Sequence, residues 1–367
     1  MNDLSILFPL PTTQADFDAG LAASAQGVGG AMLPQAVFQA DDQSGPIPYA
    51  TLQAVGFRLD PCFGQLGPIT DPLTCKNQLR VVFQPVTFDP TSGAFVQDAA
   101  VHAFYALTRD QLVAAVQELI AAREAATGDT DLGPLAPNPT LASQGLTGSL
   151  AQAYRAVITK YAGAANLVQF TSFVAADFTG APQDVGVGTF WSFEIFQVAG
   201  GAATPETIPT MPDGEQQSGL NAGTDPLSAQ FTPLTTSSDN ISLIANMTQA
   251  MQASAADRQS SYDAALRIEN PHDNSPNTID CASCHMALPA RQLVGAQLGM
   301  TAAGDSNAFA ADPSIPTADL AQTTQLIGQD GALNIHAFSY RNTEPMINQR
   351  VINETAANLA YLAEVLP

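Results

Sequence analysis

The pentapeptide Cys281-Ala-Ser-Cys284-His285 constrains this chain more than any other stretch of its sequence. The spacing C-x-x-C-H is the pattern by which a c-type haem is attached to a protein. Its two thiols add to the two vinyl groups of the porphyrin, and the histidine that follows can bind the iron as its proximal ligand. The motif therefore predicts one covalently bound haem c, held by Cys281, Cys284 and His285.

Three simpler interpretations of the motif compete with haem attachment: a zinc site, a redox pair and a structural disulfide. A zinc site needs about four ligands, and no second Cys/His pair at zinc-finger spacing follows His285. A thioredoxin-like redox pair usually starts a helix directly after a strand. Residues 277–280, which precede the motif, offer no buried strand. Haem attachment therefore remains the favoured prediction.

The charge of the chain is strongly unbalanced. Among 367 residues there are 34 acidic and 12 basic side chains, which gives a formal net charge of −22 at pH 7. Such a surface repels nucleic acid and anionic membrane faces, so neither is expected as a partner. It attracts cationic partners, and redox proteins with basic surfaces are therefore predicted. Solubility in an extracellular or salty setting is the simpler explanation of the same charge.

The two remaining cysteines, Cys62 and Cys75, lie within one stretch rich in proline and glycine. They are predicted to form a disulfide that stabilises the fold by about 3 kcal/mol on the chain-entropy argument. Disulfides and c-type haem attachment both indicate the periplasm, the cell surface or the extracellular space. The first residues show no basic region or apolar run, so a mature fragment with an added methionine is expected. No run of about 18 apolar residues occurs, and no transmembrane segment is predicted.

Residues 1–238 are predicted to form an α+β domain with an antiparallel sheet. A capping box at Thr108 and Gln111 predicts a helix after the first strands, and a second helix is expected over 150–162. His102, alone in its strand, is interpreted as a structural residue. Strands are expected over 52–59, 79–88, 101–107, 167–174 and 189–198.

Residues 239–367 are predicted to form a second, mostly α-helical domain that carries the haem. The preceding segment, 200–238, is rich in Gly, Pro, Thr and Ser and is expected to be a long connection. Asp239 is the expected N-cap of the first helix, and Asn270-Pro271 the expected end of the second. Helices are predicted over 241–253, 257–268, 283–298 and 347–366.

From about residue 278 to 367 the chain resembles a class I c-type cytochrome. That family begins with a helix bearing C-x-x-C-H, presents a distal methionine before the last helix, and often ends in a helix with an aromatic-Leu pair. In this sequence the corresponding features are the haem motif, Met346 and Tyr361-Leu362. The resemblance implies one-electron transfer. Residues 1–238 look like part of a bacterial envelope protein whose role the sequence does not specify.

The sixth iron ligand is left open between several residues. Met346 lies far enough after His285 for its loop to pass round the porphyrin, and Pro345 stiffens that loop. His336 is the main alternative, and His272, on a loop before the motif, is another. A methionine or histidine here would suit electron transfer, whereas an open position would bind peroxide or gases. Met346 has its own simpler interpretation, as a core methionine that fills a gap.

Two other methionines are placed less well, since Met286 adjoins the proximal histidine and Met300 follows it too closely. Tyr340, Arg341 and Arg350 are candidate partners for the haem propionates, with surface ion pairs as the alternative for the arginines.

Three classes of function remain in competition. The favoured one is a single-haem electron carrier rather than an enzyme. The second is a haem peroxidase or gas-binding protein with an open distal site, although bacterial c-type peroxidases generally use two haems and this chain has one motif. The third is a partner-binding envelope protein in which the haem is secondary, because a simple carrier needs only about 100 residues.

Overall fold

The computed structural model describes residues 1–40, 47–64, 75–127, 133–178, 188–211, 214–221, 229–232, 239–302, 307–328 and 333–365. The strands are β1 Ser5–Leu7, β2 Gln26–Gly27, β3 Gly30–Ala31, β4 Leu52–Phe63, β5 Lys76–Asp89, β6 Gly93–Val96, β7 Ala99–Leu107, β8 Leu167–Phe178, β9 Gly188–Ala199, β10 Ala202–Pro205, β11 Gln216–Asn221, β12 Ala229–Thr232, β13 Phe338–Arg341 and β14 Glu344–Ile347. The α-helices are α1 Gln14–Asp18, α2 Gln35–Phe38, α3 Arg109–Thr127, α4 Pro139–Gln144, α5 Ser149–Tyr161, α6 Met247–Gln252, α7 Ala255–Glu269, α8 Cys281–Pro289 and α9 Gln349–Val365. The fold is α+β, as predicted.

An antiparallel sheet forms the centre of the molecule. Over the described residues it has ten strands, eight of them in the order β1-β4-β5-β7-β8-β9-β11-β12, with β6 beside β5 and β10 beside β9. Strands that are close in sequence are mostly neighbours, because short turns can join antiparallel strands. His102 of β7 lies opposite Val82 of β5 on one side and Thr171 of β8 on the other. It therefore occupies the middle of the sheet.

The sheet separates two layers of the protein, as strand β7 illustrates. Alternate residues of a strand point to opposite faces. Val101, Ala103 and Tyr105 belong to the core that the sheet shares with α3 and α5. His102 and Phe104 point to the other face, where they line a cleft.

The elements after residue 239 cover that second face. Phe338 of β13 and Val351 of α9 lie in one hydrophobic cluster with Val82 of the sheet. Farther along, Phe193 of β9 shares a cluster with Ala282 and neighbouring residues of α8. The C-terminal segment and the sheet therefore bury a common core, and the described residues do not show a separate, mostly α-helical unit.

Local sequence explains where two helices begin. The backbone N–H of Gln111 donates to Thr108 Oγ1 at 3.2 Å, and the backbone N–H of Thr108 donates to Gln111 Oε1 at 2.8 Å, which confirms the capping box before α3. The sequence predicts Asp239 as the N-cap of the first helix of this region, and this prediction is wrong. Helix α6 begins after Asn246 instead. The reason is that the Asp239 carboxylate accepts from Arg267 Nε at 2.7 Å instead of capping a helix.

Two further differences concern strands. The prediction of one long connection over 200–238 is wrong in part, because β10, β11 and β12 pair at the β9 edge of the sheet. The hairpin of β13 and β14 was also not predicted. These short strands lack a clear alternation of apolar residues. Their extended conformation therefore depends on pairing with a neighbouring strand rather than on a local sequence pattern.

The predicted disulfide between Cys62 and Cys75 is confirmed, with the two Cα atoms 4.5 Å apart. Cys62 lies near the end of β4, and Cys75 directly precedes β5. The bridge therefore joins two paired strands at the point where the chain leaves one and enters the other.

Among the described helices, none combines the length and the apolar character needed to cross a membrane.

Candidate haem-binding site

A cleft lies between the sheet and the C-terminal elements, and the C-x-x-C-H motif forms part of its wall. Its empty space is about 990 Å³, counting its open mouth. The first part of the chain lines it with five large apolar side chains: Phe63, Phe104, Phe173, Phe193 and Ile195. The elements after residue 239 contribute Cys281, Cys284, His285, Arg350 and Glu354.

The first turn of α8 is fixed to the sheet by one glutamine. Asp280 is the N-cap of this helix, and its Oδ2 accepts from the backbone N–H of Ser283 at 2.9 Å. Gln217 of β11 donates from Nε2 to the same oxygen at 2.7 Å, and its Oε1 accepts the backbone N–H of Ala282 at 2.8 Å. Because these groups are buried, they set the orientation of the haem motif relative to the sheet.

Cys281 and Cys284 both face the cleft, are half-buried and carry free thiols. Burial raises the pKa of both thiols, and the negative charge of Asp280 adds to the effect at Cys281. The pKa of Cys284 is raised to about 11. A redox-active pair normally has a depressed pKa, so the environment is unlike that of a thioredoxin-like site.

His285 is held with one ring nitrogen toward the protein. Its Nδ1 lies 2.6 Å from the carbonyl oxygen of Ile335. A carbonyl oxygen can only accept, so Nδ1 carries the proton and Nε2 keeps its lone pair. Burial lowers the pKa of His285 to about 4, which keeps the ring neutral at pH 7. Metal-binding histidines are oriented by the same kind of N–H to carbonyl bond.

Aromatic rings surround His285. Its ring centroid lies 4.7 Å from that of Phe193 and 6.1 Å from that of Phe173, both on the sheet. The proximal histidine of the motif is therefore packed directly against the first part of the chain.

His102 lines the same cleft, which its interpretation as a structural strand residue did not anticipate. Within the described part of the chain its ring makes no hydrogen bond, although the ring is only half-exposed. Burial, with Arg80 and His285 as further causes, lowers its pKa well below the usual value. The alternation of Ala100, His102 and Phe104 along the strand indicates that the three side chains share one face of the sheet. The sequence does not show which elements pack over that face.

Arg80 is another polar residue of the cleft wall, beside His102. Its guanidinium lies 5.2 Å from the ring centroid of Phe63 and 4.9 Å from that of Phe104, and its Nη2 lies 3.0 Å from Asp60 Oδ2. The Nε and Nη2 atoms are buried without a hydrogen bond of good geometry. The cleft therefore holds a cation with unused hydrogen-bonding capacity.

A buried ionic cluster continues from Arg80 toward α9. Arg58 lies between Asp60 at 3.5 Å and Glu354 at 3.1 Å, and Arg350 Nε donates to Glu354 Oε1 at 2.6 Å. Burial alone would raise the pKa of Glu354, but the three arginines hold it at about 2. Three guanidinium groups against two carboxylates leave one excess positive charge within this cluster, although Glu206 and Asp280 also line the cleft. An anionic group of a ligand would be attracted there.

The two preferred candidates for the sixth ligand lie elsewhere. Met346 is fully buried in a cluster with Leu288 and Leu326 and is not part of the cleft wall. Its Sδ accepts from Thr324 Oγ1 at 3.4 Å. These contacts match the simpler interpretation, a methionine that fills a core gap. Met346 as an iron ligand stays a prediction without support from this placement.

His336 lies near the cleft but both of its ring nitrogens are engaged. Nε2 is 2.5 Å from Asp98 Oδ1, and Nδ1 is 2.7 Å from Ser339 Oγ. The side chain is 2% exposed. To bind iron His336 would have to give up one of these bonds, so its role as a ligand also remains an unsupported prediction.

The remaining candidates are spread around the site. His272 lies in an adjoining cleft that shares Phe63, Arg350 and Glu354 with the first one. Met286 and Met300 belong to the hydrophobic cluster around α8 and do not line the cleft.

Only one of the proposed propionate partners lines the cleft, namely Arg350. Arg341 pairs with Asp98 at 3.3 Å, and the Tyr340 hydroxyl donates to the carbonyl of Phe8 at 2.6 Å. Arg80, which the sequence did not single out, lines the cleft, whereas Arg341 does not.

In the described residues no group of three or more His, Cys, Asp and Glu side chains is placed to hold a metal ion. The cleft wall holds two thiols and two separate histidines, His285 and His102, beside the carboxylates of Glu206, Asp280 and Glu354. This set fits a haem, because the porphyrin itself supplies four of the iron ligands and the protein needs to supply only the axial ones.

No protein-family model, curated protein or solved structure matches the chain. The residues of the cleft are therefore the basis on which a function is assigned.

Proposed function

We propose that the chain is a single-haem c-type cytochrome that transfers one electron at a time in the cell envelope or outside the cell. The observation that carries the proposal is that Cys281, Cys284 and His285 of one C-x-x-C-H motif all line a single aromatic cleft. The two thiols would form the thioether bonds, and His285 Nε2 would bind the iron. A haem c in this cleft would supply a reversible one-electron iron couple.

The chain's own residues support this role in three ways. The bond from His285 Nδ1 to the Ile335 carbonyl fixes the ring and raises its basicity. Phe173 and Phe193 exclude water from the proximal side and lower the local polarity. Arg80 and Arg350, which both line the cleft, would bind a haem carboxylate.

The haem-carrying part of the chain would be residues 239–367, built mostly from α6 to α9, as the resemblance to class I cytochromes implies. Because Phe63, Phe104 and His102 complete the cleft, we propose that this part needs the sheet of residues 1–238 as its second wall. The large first part would then belong to the haem site rather than to a separate binding function.

The net charge and the disulfide indicate which partners and which compartment the protein would have. With a net charge of −22, the protein would exchange electrons with redox proteins whose docking surfaces are basic. The Cys62–Cys75 bridge fits an oxidising compartment such as the periplasm, the cell surface or the medium.

A haem peroxidase or gas-binding protein is the second candidate, and one observation favours it. Arg80 and His102 line the cleft as possible hydrogen-bond donors, and polar groups in a distal pocket are what such proteins use. Carbon monoxide binding by the ferrous protein separates the two functions, because an electron carrier with two axial ligands excludes it.

The covalent attachment is tested with the full chain expressed beside the c-type maturation machinery. Denaturing gels should show peroxidase stain for the wild type and none for Cys281→Ala/Cys284→Ala. The matched control is Cys62→Ala/Cys75→Ala, which removes the other cysteine pair and should retain the stain. Stain that survives in the first double variant would refute the proposed function.

A further inference from the structure

We infer that His102, on the central strand β7, is the second axial ligand of the iron. This inference rests on the proposed function, since it requires a haem in the cleft. Each of the two parts of the chain would then supply one axial ligand of the iron, His285 from α8 and His102 from the sheet.

The sheet register brings the two histidines to one place. His102 lies opposite Thr171, and Phe173 is two residues farther along the same face of β8. Such diagonal neighbours are about 7–8 Å apart. The ring of His285 packs against Phe173 at 6.1 Å. His102 and His285 therefore line the same part of the cleft.

His102 also has the bonding capacity that a ligand needs. Its ring makes no hydrogen bond to any described residue, so a nitrogen lone pair is available without breaking a contact. His336 has both nitrogens engaged, by Asp98 and Ser339, and the sulfur of Met346 accepts from Thr324. The half-buried ring lines the cleft with a nitrogen lone pair available, which is what an axial ligand requires.

The remaining histidine, His272, is a weaker candidate. It lies on an exposed turn after α7, packs on the ring of Phe309 at 5.6 Å, and opens into the adjoining cleft. His102 is instead held on a strand with hydrogen-bonded neighbours on both sides. A site on a rigid strand fixes a ligand more closely than one on a loop.

The test is spectroscopic and uses the full, haem-loaded protein. The wild type should show a low-spin bis-histidine spectrum, without the weak red band of sulfur–iron charge transfer, and should not bind carbon monoxide rapidly. His102→Gly should become high-spin and accept carbon monoxide, and added imidazole should restore the wild-type spectrum. His102→Met should stay low-spin and show a higher reduction potential, because a methionine ligand raises it.

His272→Ala, His336→Ala and Met346→Ala are the matched controls, and each should leave the spectrum and the carbon monoxide response unchanged. If one of these opens the iron and His102→Gly does not, the inference is wrong and that residue is the ligand. If the wild type itself is high-spin and binds carbon monoxide, the inference also fails, and the site is open. In all these cases covalent stain on the gel shows that the proposed haem attachment stands, whereas absence of stain shows that the proposed function has failed.

Discussion

The side-chain amide of Gln217 donates to the carboxylate of Asp280 at 2.7 Å, and both residues are fully buried. Gln217 belongs to the sheet, and Asp280 caps the helix that carries the haem motif. One side chain thus joins the two parts of the molecule at the point where the cofactor is predicted to be attached. Its removal would take one hydrogen bond each from the buried Asp280 carboxylate and the buried Ala282 N–H.

We therefore expect Gln217→Leu to be costly. It leaves the Asp280 carboxylate and the Ala282 N–H short of one hydrogen bond each, at about 1–3 kcal/mol for each group. The free energy of unfolding, measured by urea denaturation, should fall by about 2–6 kcal/mol. Gln216→Leu is the control, because the neighbouring side chain is exposed and, within the part of the chain that the structure describes, bonds to Glu194 on the sheet and not to α8. Equal effects of the two substitutions would show that the bond to Asp280 is unimportant.

The disulfide is the second feature with a direct test. Without reductant, mass spectrometry should find one peptide pair linked through Cys62 and Cys75. Cys62→Ala/Cys75→Ala should lose about 3 kcal/mol of stability, since the unfolded chain is no longer constrained. Two free thiols in protein from an oxidising compartment would contradict the structure.

The central strands of the sheet can be predicted from the sequence, whereas the short strands β10 to β12 cannot. The central strands have apolar residues at every second position, as in Val101, Ala103 and Tyr105, and this pattern is local. Strands β10 to β12 lack it, because their structure depends on the strands with which they pair. Gln217 shows the consequence, since its place in β11 and its contact with Asp280 could not be foreseen from polar residues in a Gly/Thr-rich stretch.

The candidate site divides in the same way. The residues of the C-x-x-C-H motif are found from sequence because the chemistry requires a fixed local spacing. His102, Arg80 and Met346 depend on contacts between distant parts of the chain. Met346 has the right distance along the sequence but lies in another cluster, whereas His102 is far from the motif in sequence and near it in space.

The ionic cluster beside the cleft predicts a dependence of stability on pH. The pKa of Glu354 is held at about 2, below its ordinary value of 4.5. A depressed pKa means that the folded state favours the charged form, so this stability is complete above about pH 4.5 and is lost as the pH falls toward 2. Glu354→Gln should therefore lose on the order of 3 kcal/mol at pH 7.

The same variant should change the acid response. The difference in free energy of unfolding between the wild type and Glu354→Gln should shrink as the pH falls from 4.5 toward 2. Urea titrations at several pH values can measure it. Glu364→Gln, at an exposed position of the same helix, should follow the wild type throughout. A constant difference between wild type and Glu354→Gln across this range would show that Glu354 does not titrate as described.

The only tryptophan of the chain provides the last prediction, through its contact with a glycine. Gly219 lies directly across the sheet from Trp191. A Cβ atom on Gly219 would come within 1.9 Å of Cζ2 of the indole. The glycine is therefore required by the close approach of the ring to its backbone. The indole is 1% exposed and meets Phe193 edge-on at 5.4 Å.

Gly219→Ala should force the indole out of this position, because the methyl group and the ring cannot occupy the same space. Over-packing of this kind costs about 1–3 kcal/mol. Since Phe193 also packs on His285 at 4.7 Å, the displacement should reach the proximal side of the cleft. Tryptophan fluorescence should shift to longer wavelength, and the urea midpoint should fall. Ser218→Ala, on the same strand, should change neither, and a variant of Gly219 with wild-type emission and midpoint would show that the indole does not lie across the glycine.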